Sequence, residues 1–104
     1  MASLDKTLKN IEPAEGCIAN AMRVLGLKWS ALILGDLNNG PKRFCELERS
    51  IERITPRILS QRLNDLEALN IICQNDGSYR LTDKGKDLMP TLIQMASWGS
   101  KYPA

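Results

Sequence analysis

The stretch that decides the fold covers residues 55–69 and has the sequence TPRILSQRLNDLEAL. Thr55 followed by Pro56 marks a helix start, because the threonine oxygen accepts an amide hydrogen bond and proline gives up an amide that would have no helical partner. On a helical wheel of about 100° per residue, one stripe is formed by Leu59, Leu63, Leu66 and Leu69. The pattern predicts an amphipathic helix over 55–69 whose leucine side packs on a core.

The opposite side of this predicted helix carries hydrogen-bonding side chains, namely Arg57, Ser60, Gln61 and Asn64. Arginine suits guanine, asparagine and glutamine suit adenine, and serine suits bases or phosphates, at the edges displayed in the major groove. Any surface helix is polar outside, so the face indicates base reading only if its neighbours support it. Arg62 lies beside the leucine stripe, and we expect it to pair with a carboxylate such as Asp36 or Glu46.

Apolar residues at helical spacing predict three helices before residue 55. The first covers 17–25 and should stop at Gly26. The second covers 29–37 and is apolar enough to be core throughout. The third is short and covers about 44–51. A further short helix or arm is expected over 1–16.

Two strands and one more helix are predicted after residue 69. Strands 71–74 and 78–81 flank the sequence Asn-Asp-Gly at 75–77, which is a hairpin signal because these residue types accept the left-handed backbone of tight turns. The last helix opens at Thr82, and we expect Pro90 to kink or split it, because proline removes a backbone bond and crowds the preceding turn.

Composition limits the classes of function. The 104 residues are 43% hydrophobic and 25% charged, which is typical of one globular domain. No apolar run approaches the roughly 20 residues that span a bilayer, and the first residues lack a signal peptide, so we expect a cytoplasmic protein with no membrane partner. Histidine is absent and the three cysteines are far apart. We therefore expect no enzyme activity, no metal and no cofactor.

The net charge is only +2, but the charges are unevenly placed. Residues 42–62 contain six basic and three acidic side chains. Phosphate contacts are predicted for Lys42, Arg43, Thr55 and Arg80. Lys42 and Arg43 precede a helix N-terminus, and Arg80 lies at the base of the predicted hairpin. A solvated surface position is an equal alternative for Lys42.

The order of elements is that of a winged helix-turn-helix. We predict a mostly helical α+β fold with a two-stranded hairpin wing, forming one domain over 17–104. The positive excess then lies on the two helices that would face DNA. The predicted function is a sequence-specific regulator that binds double-stranded DNA through the helix at 55–69. A winged-helix module that binds only other proteins is the alternative, since a fold does not fix a function.

Five pieces of the chain, within residues 17–99, carry a family resemblance. They are GLKW (26–29), DLNNGPKRFCEL (36–47), ITPRILSQRLNDLE (54–67), LTDKG (81–85) and SWG (97–99). Together they resemble the HxlR-type winged helix-turn-helix transcription regulators. The resemblance implies a dimeric, DNA-binding transcription factor. The chain departs from the family at Ile18, where proline often follows an early cysteine, and in its short wing.

A homodimer is predicted through the last helix, which has more apolar surface than a lone terminal helix can bury. The predicted interface residues are Leu4, Leu8, Leu88, Leu92, Met95 and Trp98. A twofold dimer sets two reading helices about 34–36 Å apart, as successive major grooves require. Trp29, Phe44 and Trp98 are also expected to be packing residues, and Cys45 and Cys73 inert small apolar ones. We expect repression, because occupying a promoter is mechanically simple.

Cys17 is the candidate redox sensor, because some members of the resembling family use an early cysteine as a thiol switch. It opens a predicted helix, whose free amides favour a thiolate, whereas the nearby Glu12 and Glu15 oppose it. A quiet buried cysteine is the alternative. The sequence leaves open whether the effector is an oxidant or another small molecule.

Overall fold

The computed structural model describes residues 16–25 and 27–103. In chain order the elements are α1 (Cys17–Leu25), α2 (Lys28–Leu37), β1 (Lys42–Arg43), α3 (Phe44–Ser50), α4 (Pro56–Ala68), β2 (Ile72–Asn75), β3 (Ser78–Leu81) and α5 (Asp83–Lys101). This order confirms the predicted winged helix-turn-helix, in which α3 and α4 form the helix-turn-helix and β2 and β3 form the wing. The predictions that concern Leu4, Leu8 and Gly26 lie outside the described residues.

The sheet has three antiparallel strands in the order β1-β3-β2, not the predicted two. In the added strand, Lys42 pairs with Tyr79 and Arg43 with Ser78. A strand of two residues has no periodicity and could not be predicted from the sequence. The pairing ties the segment before α3 directly to the wing.

The wing turns through the two residues Asp76 and Gly77, one fewer than predicted, because Asn75 belongs to the first strand of the hairpin. Asp76 has a φ of 54° and Gly77 a φ of 79°, so both adopt the left-handed backbone of a tight hairpin turn. Asn75 belongs to β2 and pairs with Ser78, the first residue of β3. The hairpin register is therefore set by its turn.

The core lies between α2, α3 and the inner face of α4. Leu59, Leu63 and Leu66 are fully buried there, as the stripe predicts, and α2 and α3 contribute Ile33, Leu34 and Leu47. Trp29 and Phe44 pack against this core, which confirms their assignment.

Two leucines expected in the core are exposed. Leu69 is 37% exposed, because it is the C-cap of α4, where the leucine stripe has passed the edge of the core. Leu32 is 45% exposed and lies in an open groove of about 870 Å³ that α2 shares with Leu92 and Met95 of α5. The expectation that the whole second helix is core is thus wrong at Leu32.

Pro90 does not split the last helix, which is one element from Asp83 to Lys101. Residues on both sides of it pack inward: Met89 is buried, and Leu88 and Leu92 are packed against the core. Pro90 itself is exposed. We attribute the continuity of the helix to this packing, which offsets the lost backbone hydrogen bond.

The end of α4 is closed by a Schellman motif. Asn70 has a φ of 59°, its amide donates to the Glu67 carbonyl at 2.9 Å, and the amide of Ile71 donates to the Leu66 carbonyl at 3.0 Å. The Lys84 ammonium, from the first turn of α5, donates to the Leu69 carbonyl at 2.7 Å. Asparagine suits this position because its side chain tolerates the left-handed region.

Thr82 joins this helix end to the start of α5. Its Oγ1 lies 2.6 Å from the Asn70 carbonyl oxygen and 3.0 Å from that of Ile71, and it accepts from the Gly85 amide at 3.1 Å. The Thr82 amide also donates to the Ile71 carbonyl at 3.0 Å. One side chain thus caps α5 and holds the segment between α4 and the wing.

Gly85 completes the junction by letting two backbones touch. A Cβ at this buried position would overlap the carbonyl oxygen of Ile71. The LTDKG piece of the sequence therefore has a structural cause: Leu81 is core, Thr82 caps, Lys84 reaches the end of α4, and Gly85 leaves room.

We predict that Gly85→Ala lowers the free energy of unfolding by about 2–3 kcal/mol, because α5 must move away from Ile71 to admit the methyl group. Urea denaturation followed by circular dichroism measures this. Gly35→Ala in α2 is the matched control: nothing lies within 4 Å of an added Cβ, so a change of less than about 1 kcal/mol, in the stabilising direction, is expected. Equal stabilities of Gly85→Ala and wild type would contradict the close approach.

Candidate nucleic-acid interface

The turn between α3 and α4 fixes the angle at which α4 is presented. Ile51 and Ile54 are buried, and the Ile51 amide donates to the Leu47 carbonyl at 3.0 Å. Between them Arg53 has a φ of 69°, a left-handed backbone that reverses the chain without a glycine. This conformation could not be predicted from the sequence, because arginine is not typical of the left-handed region.

The start of α4 is capped as predicted. The Thr55 Oγ1 accepts the Ile58 amide at 3.2 Å, and Pro56 is the first helical residue. Thr55 is exposed. Its hydroxyl oxygen is occupied by the cap, but its hydrogen remains available to donate to a phosphate oxygen.

The outward face of α4 contains all four predicted base-reading residues, Arg57, Ser60, Gln61 and Asn64, and each is exposed. Among residues 16–25 and 27–103, no hydrogen bond or ion pair engages any of these four side chains. Their donors and acceptors thus point to solvent on one side of a helix whose other side is packed in the core. This is the geometry that insertion into a major groove requires.

Arg62 has a different partner from the predicted ones. Its Nη1 lies 3.0 Å from Oδ2 of Asp65, one turn along α4, while its Nε is buried with no hydrogen-bond partner among the described residues. Asp36 instead lies 3.9 Å from the Lys42 ammonium, and Glu46 accepts the Arg43 amide at 2.8 Å. The expected pairing of Arg62 with a carboxylate is confirmed, but Asp36 and Glu46 were the wrong candidates, because each of them contacts the β1 segment.

The predicted phosphate-binding residues are divided between two surroundings. Lys42 is half-buried beside Asp36, whereas Arg43 is exposed and its guanidinium lies over Gly77 at the wing turn. Arg80 is exposed on β3, opposite Cys73 of β2. Pairing of β1 with β3 brings Arg43 to the wing, which its position before α3 did not reveal.

The middle strand of the sheet carries a neutral phenol, that of Tyr79. Tyr79 is half-buried against the core, and burial, followed by the nearby Glu67 carboxylate, raises the pKa of Tyr79 above its ordinary value. Tyr79 therefore stays protonated at neutral pH and adds no negative charge between β1 and β2.

The predicted dimer residues also separate into two kinds. Leu88 and Leu92 are partly buried against the chain's own core. Met95 and Trp98 are 43% and 66% exposed, so Trp98 is not a packing residue within one chain. Further exposed apolar residues are Ile18 and Met22 of α1 and Ile93 and Tyr102 at the end of α5. Their helical spacing was visible in the sequence, but whether the core covers them was not.

Cys17 is the first residue of α1 and is exposed, so it is not a quiet buried cysteine. Cys45 is exposed and Cys73 is half-buried. The expectation that Cys45 packs like a small apolar residue is therefore wrong. It lies on the outer side of α3, whose buried position is Leu47.

Metal binding and membrane spanning can be judged for residues 16–25 and 27–103. No group of three or more His, Cys, Asp or Glu side chains in this part of the chain is arranged to hold a metal ion. No single helix there is long and apolar enough to cross a membrane, although α1 and α2 together, bent by 78°, reach the length and composition.

A helix-turn-helix with an exposed polar reading face, followed by a hairpin wing and preceded by a basic segment, defines a winged helix-turn-helix protein. The profile of the HxlR-like helix-turn-helix family matches residues 24–104. The chain belongs to this family. It is an HTH-type transcriptional regulator and not an enzyme.

Curated relatives agree with this membership. The HTH-type transcriptional regulator YvaP of Bacillus subtilis is 35% identical over 89 residues, which are 79% of this chain and 82% of YvaP. The regulator YodB of the same organism is 32% identical over 90 residues, 80% of each chain.

Solved structures share the fold at similar identity. Quinone-bound YodB from B. subtilis superposes with a TM-score of 0.75 and 34% identity, covering 82% of this chain and 97% of YodB. The redox regulator HypR in its reduced form gives a TM-score of 0.72 and 32% identity, covering 81% of this chain and 90% of HypR.

Proposed function

We propose that the protein is a sequence-specific repressor that acts as a homodimer and inserts α4 into the major groove of double-stranded DNA. The observation that carries the proposal is the outward face of α4, where Arg57, Ser60, Gln61 and Asn64 are exposed and free of partners within the described residues. Side chains in this state lose no internal hydrogen bonds when they pair with base edges.

Arg57 is the principal base reader in this proposal. It is the second residue of α4, near the helix N-terminus, the end that contacts base edges in helix-turn-helix proteins. The helix dipole and the Thr55 hydroxyl at the same end favour a phosphate beside it.

The charges around α4 support binding to the DNA backbone. Arg49 and Arg53 are exposed near the turn between α3 and α4. Glu46, one of the acidic residues in 42–62, accepts the Arg43 amide. Lys42, Thr55 and Arg80 are further candidates for phosphate contacts. Neutralising phosphates releases counterions, so binding should weaken steeply as salt rises.

Dimerisation through α5 is supported by the exposed apolar side chains near its C-terminus. Ile93, Met95, Trp98 and Tyr102 are exposed over its last two turns, and the Trp98 and Tyr102 rings lie 5.3 Å apart. Exposed aromatic and aliphatic side chains on one helix end are typical of an interface. A twofold partner covers them and sets the second α4 one helical turn of DNA away. Such a dimer represses by occupying a promoter.

We further propose that Cys17 senses oxidants. Related structures include quinone-bound YodB and the reduced and oxidised forms of HypR. In this chain Cys17 is exposed, one turn before Asn20 and Ala21, which line a cleft of about 430 Å³ with Lys84 and Leu88 of α5. A change at Cys17 therefore acts next to the helix proposed to form the dimer.

We expect Arg57→Ala to weaken binding to the selected operator by about 1–3 kcal/mol and to relax one base position, because a bidentate contact to guanine is lost. The operator is obtained by selecting bound duplexes from a random pool, and affinities are measured by fluorescence anisotropy. Arg49→Ala is the control and should weaken specific and random duplexes alike, with a smaller salt slope. Equal losses for Arg57→Ala on both duplexes would contradict base reading. The absence of salt-sensitive binding to any duplex would favour the protein-interaction alternative.

The double variant Met95→Gln, Trp98→Gln should be monomeric, because it removes two exposed apolar side chains of α5 without touching the core. Sedimentation velocity at micromolar concentration measures this. Lys86→Gln, on the same helix, is the control and should stay dimeric. A wild-type monomer that binds a two-half-site operator with full affinity would refute dimerisation.

Diamide should lower operator affinity in the wild type, with recovery after dithiothreitol. Two thiols each lose a hydrogen to diamide and form a disulfide, either between two Cys17 residues or with a small thiol. Cys17→Ser should not respond, whereas Cys45→Ser, which removes the other exposed thiol, should respond like the wild type. An identical response of Cys17→Ser and wild type would exclude Cys17 as the sensor.

A further inference from the structure

The tip of the wing carries a cation that does not belong to the hairpin. Arg43 is in β1, opposite Ser78, and its guanidinium packs over the turn: a Cβ added at Gly77 would lie 2.9 Å from its Nη1. Gly77 has no side chain, and so it leaves the space that this guanidinium fills.

The turn itself offers no positive charge. It consists of Asn75, Asp76, Gly77 and Ser78, of which Asp76 is acidic and is repelled by phosphates. The cation that lies at this turn therefore comes from the neighbouring strand β1.

Arg43 is poorly placed for the phosphate contact that its position before α3 predicted. Its amide donates to Glu46 Oε1 at 2.8 Å, so a carboxylate already lies at the start of α3 and repels a phosphate there. The backbone of Arg43 is fixed by this bond and by β1 pairing, whereas its side chain is exposed and makes no ion pair with another described residue.

We propose that Arg43 is the minor-groove reader of this regulator and that it selects A·T base pairs flanking the α4 site. This rests on the proposed insertion of α4 into the major groove. Only residues 69–71 separate α4 from β2, so a hairpin beside the inserted helix meets the adjacent groove.

The chemistry of the groove determines the preference. A·T tracts narrow the minor groove and make its potential more negative, which attracts arginine, whereas G·C pairs place an amino group on the groove floor. Arginine suits this position better than lysine, because a planar guanidinium is less strongly hydrated than an ammonium. The neighbouring Lys42 is the adjacent residue of β1, so its side chain points to the opposite face of the strand, where its ammonium lies 3.9 Å from Asp36.

The test uses the full chain and the selected operator in three forms, with flanks of A·T, G·C or inosine·C pairs. Inosine lacks the minor-groove amino group but presents a guanine-like major groove. We expect the wild type to bind the A·T and inosine·C forms about tenfold more tightly than the G·C form. Arg43→Ala and Arg43→Lys should bind all three forms alike, while the base preferences of the α4 site persist.

Two further variants complete the design. Arg80→Ala, an exposed cation on β3, is the control and should keep the tenfold preference while binding every duplex more weakly. Gly77→Asn keeps a residue that tolerates a positive φ but places a side chain where the guanidinium lies, so it should lose the preference with Arg43 intact. Thermal melting establishes that each variant is folded.

Several results would overturn the proposal. Wild-type binding that does not depend on the flanks would do so, as would equal weakening of all three duplexes by Arg43→Ala, which is the signature of a phosphate contact. If folded Gly77→Asn keeps the preference for A·T flanks, the position of the Arg43 guanidinium over Gly77 is not what produces it. Failure of the proposed function is distinct, because then no base preference is found at the α4 site either.

Discussion

The backbone contact on which the rest of the structure depends is at the carbonyl of Ile71. It accepts the Thr82 amide at 3.0 Å, shares the Thr82 hydroxyl with the Asn70 carbonyl, and lies against the Cα of Gly85. A buried carbonyl needs its hydrogen bonds satisfied, and here the partners come from the far side of the wing. These contacts consequently connect the end of α4 and the two wing strands to the start of α5.

This junction explains how a small domain can present the outward face of α4 rigidly. The inner leucines of α4 fix its rotation, the Schellman motif fixes its end, and the Thr55 cap fixes its beginning. Because the wing begins directly after the motif, its position relative to α4 follows from the same contacts. An arrangement of this kind has little conformational entropy to lose on binding, which favours affinity and specificity together.

The basic side chains differ in whether a carboxylate lies close to them. Asp65 engages Arg62, Asp36 lies near Lys42, and Glu46 takes a backbone amide, whereas Arg43, Arg57 and Arg80 are left exposed. Exposed ion pairs contribute little stability. Their effect here is on the electrostatic pattern, since they offset positive charge at Lys42 and Arg62, whereas Arg57 on the outward side of α4 and Arg43 and Arg80 in the sheet make no ion pair among the described residues.

The sequence by itself determined the local features. The Thr-Pro start and leucine stripe of α4, the Asp-Gly turn of the wing and the order of the elements were all predictable, because capping, periodicity and turn geometry act over a few residues. The four outward residues of α4 followed from the same periodicity.

Only the tertiary structure decided the features that join distant residues. The pairing of β1 with β3, the position of Arg43 over Gly77, the partner of Arg62 and the exposure of Leu32 and Trp98 each depend on how elements pack. Periodicity shows which side of a helix is apolar but not whether the core is wide enough to cover it. Pairings between segments far apart in the chain leave no local signal, because the free energy that favours them arises only once the core has brought them together.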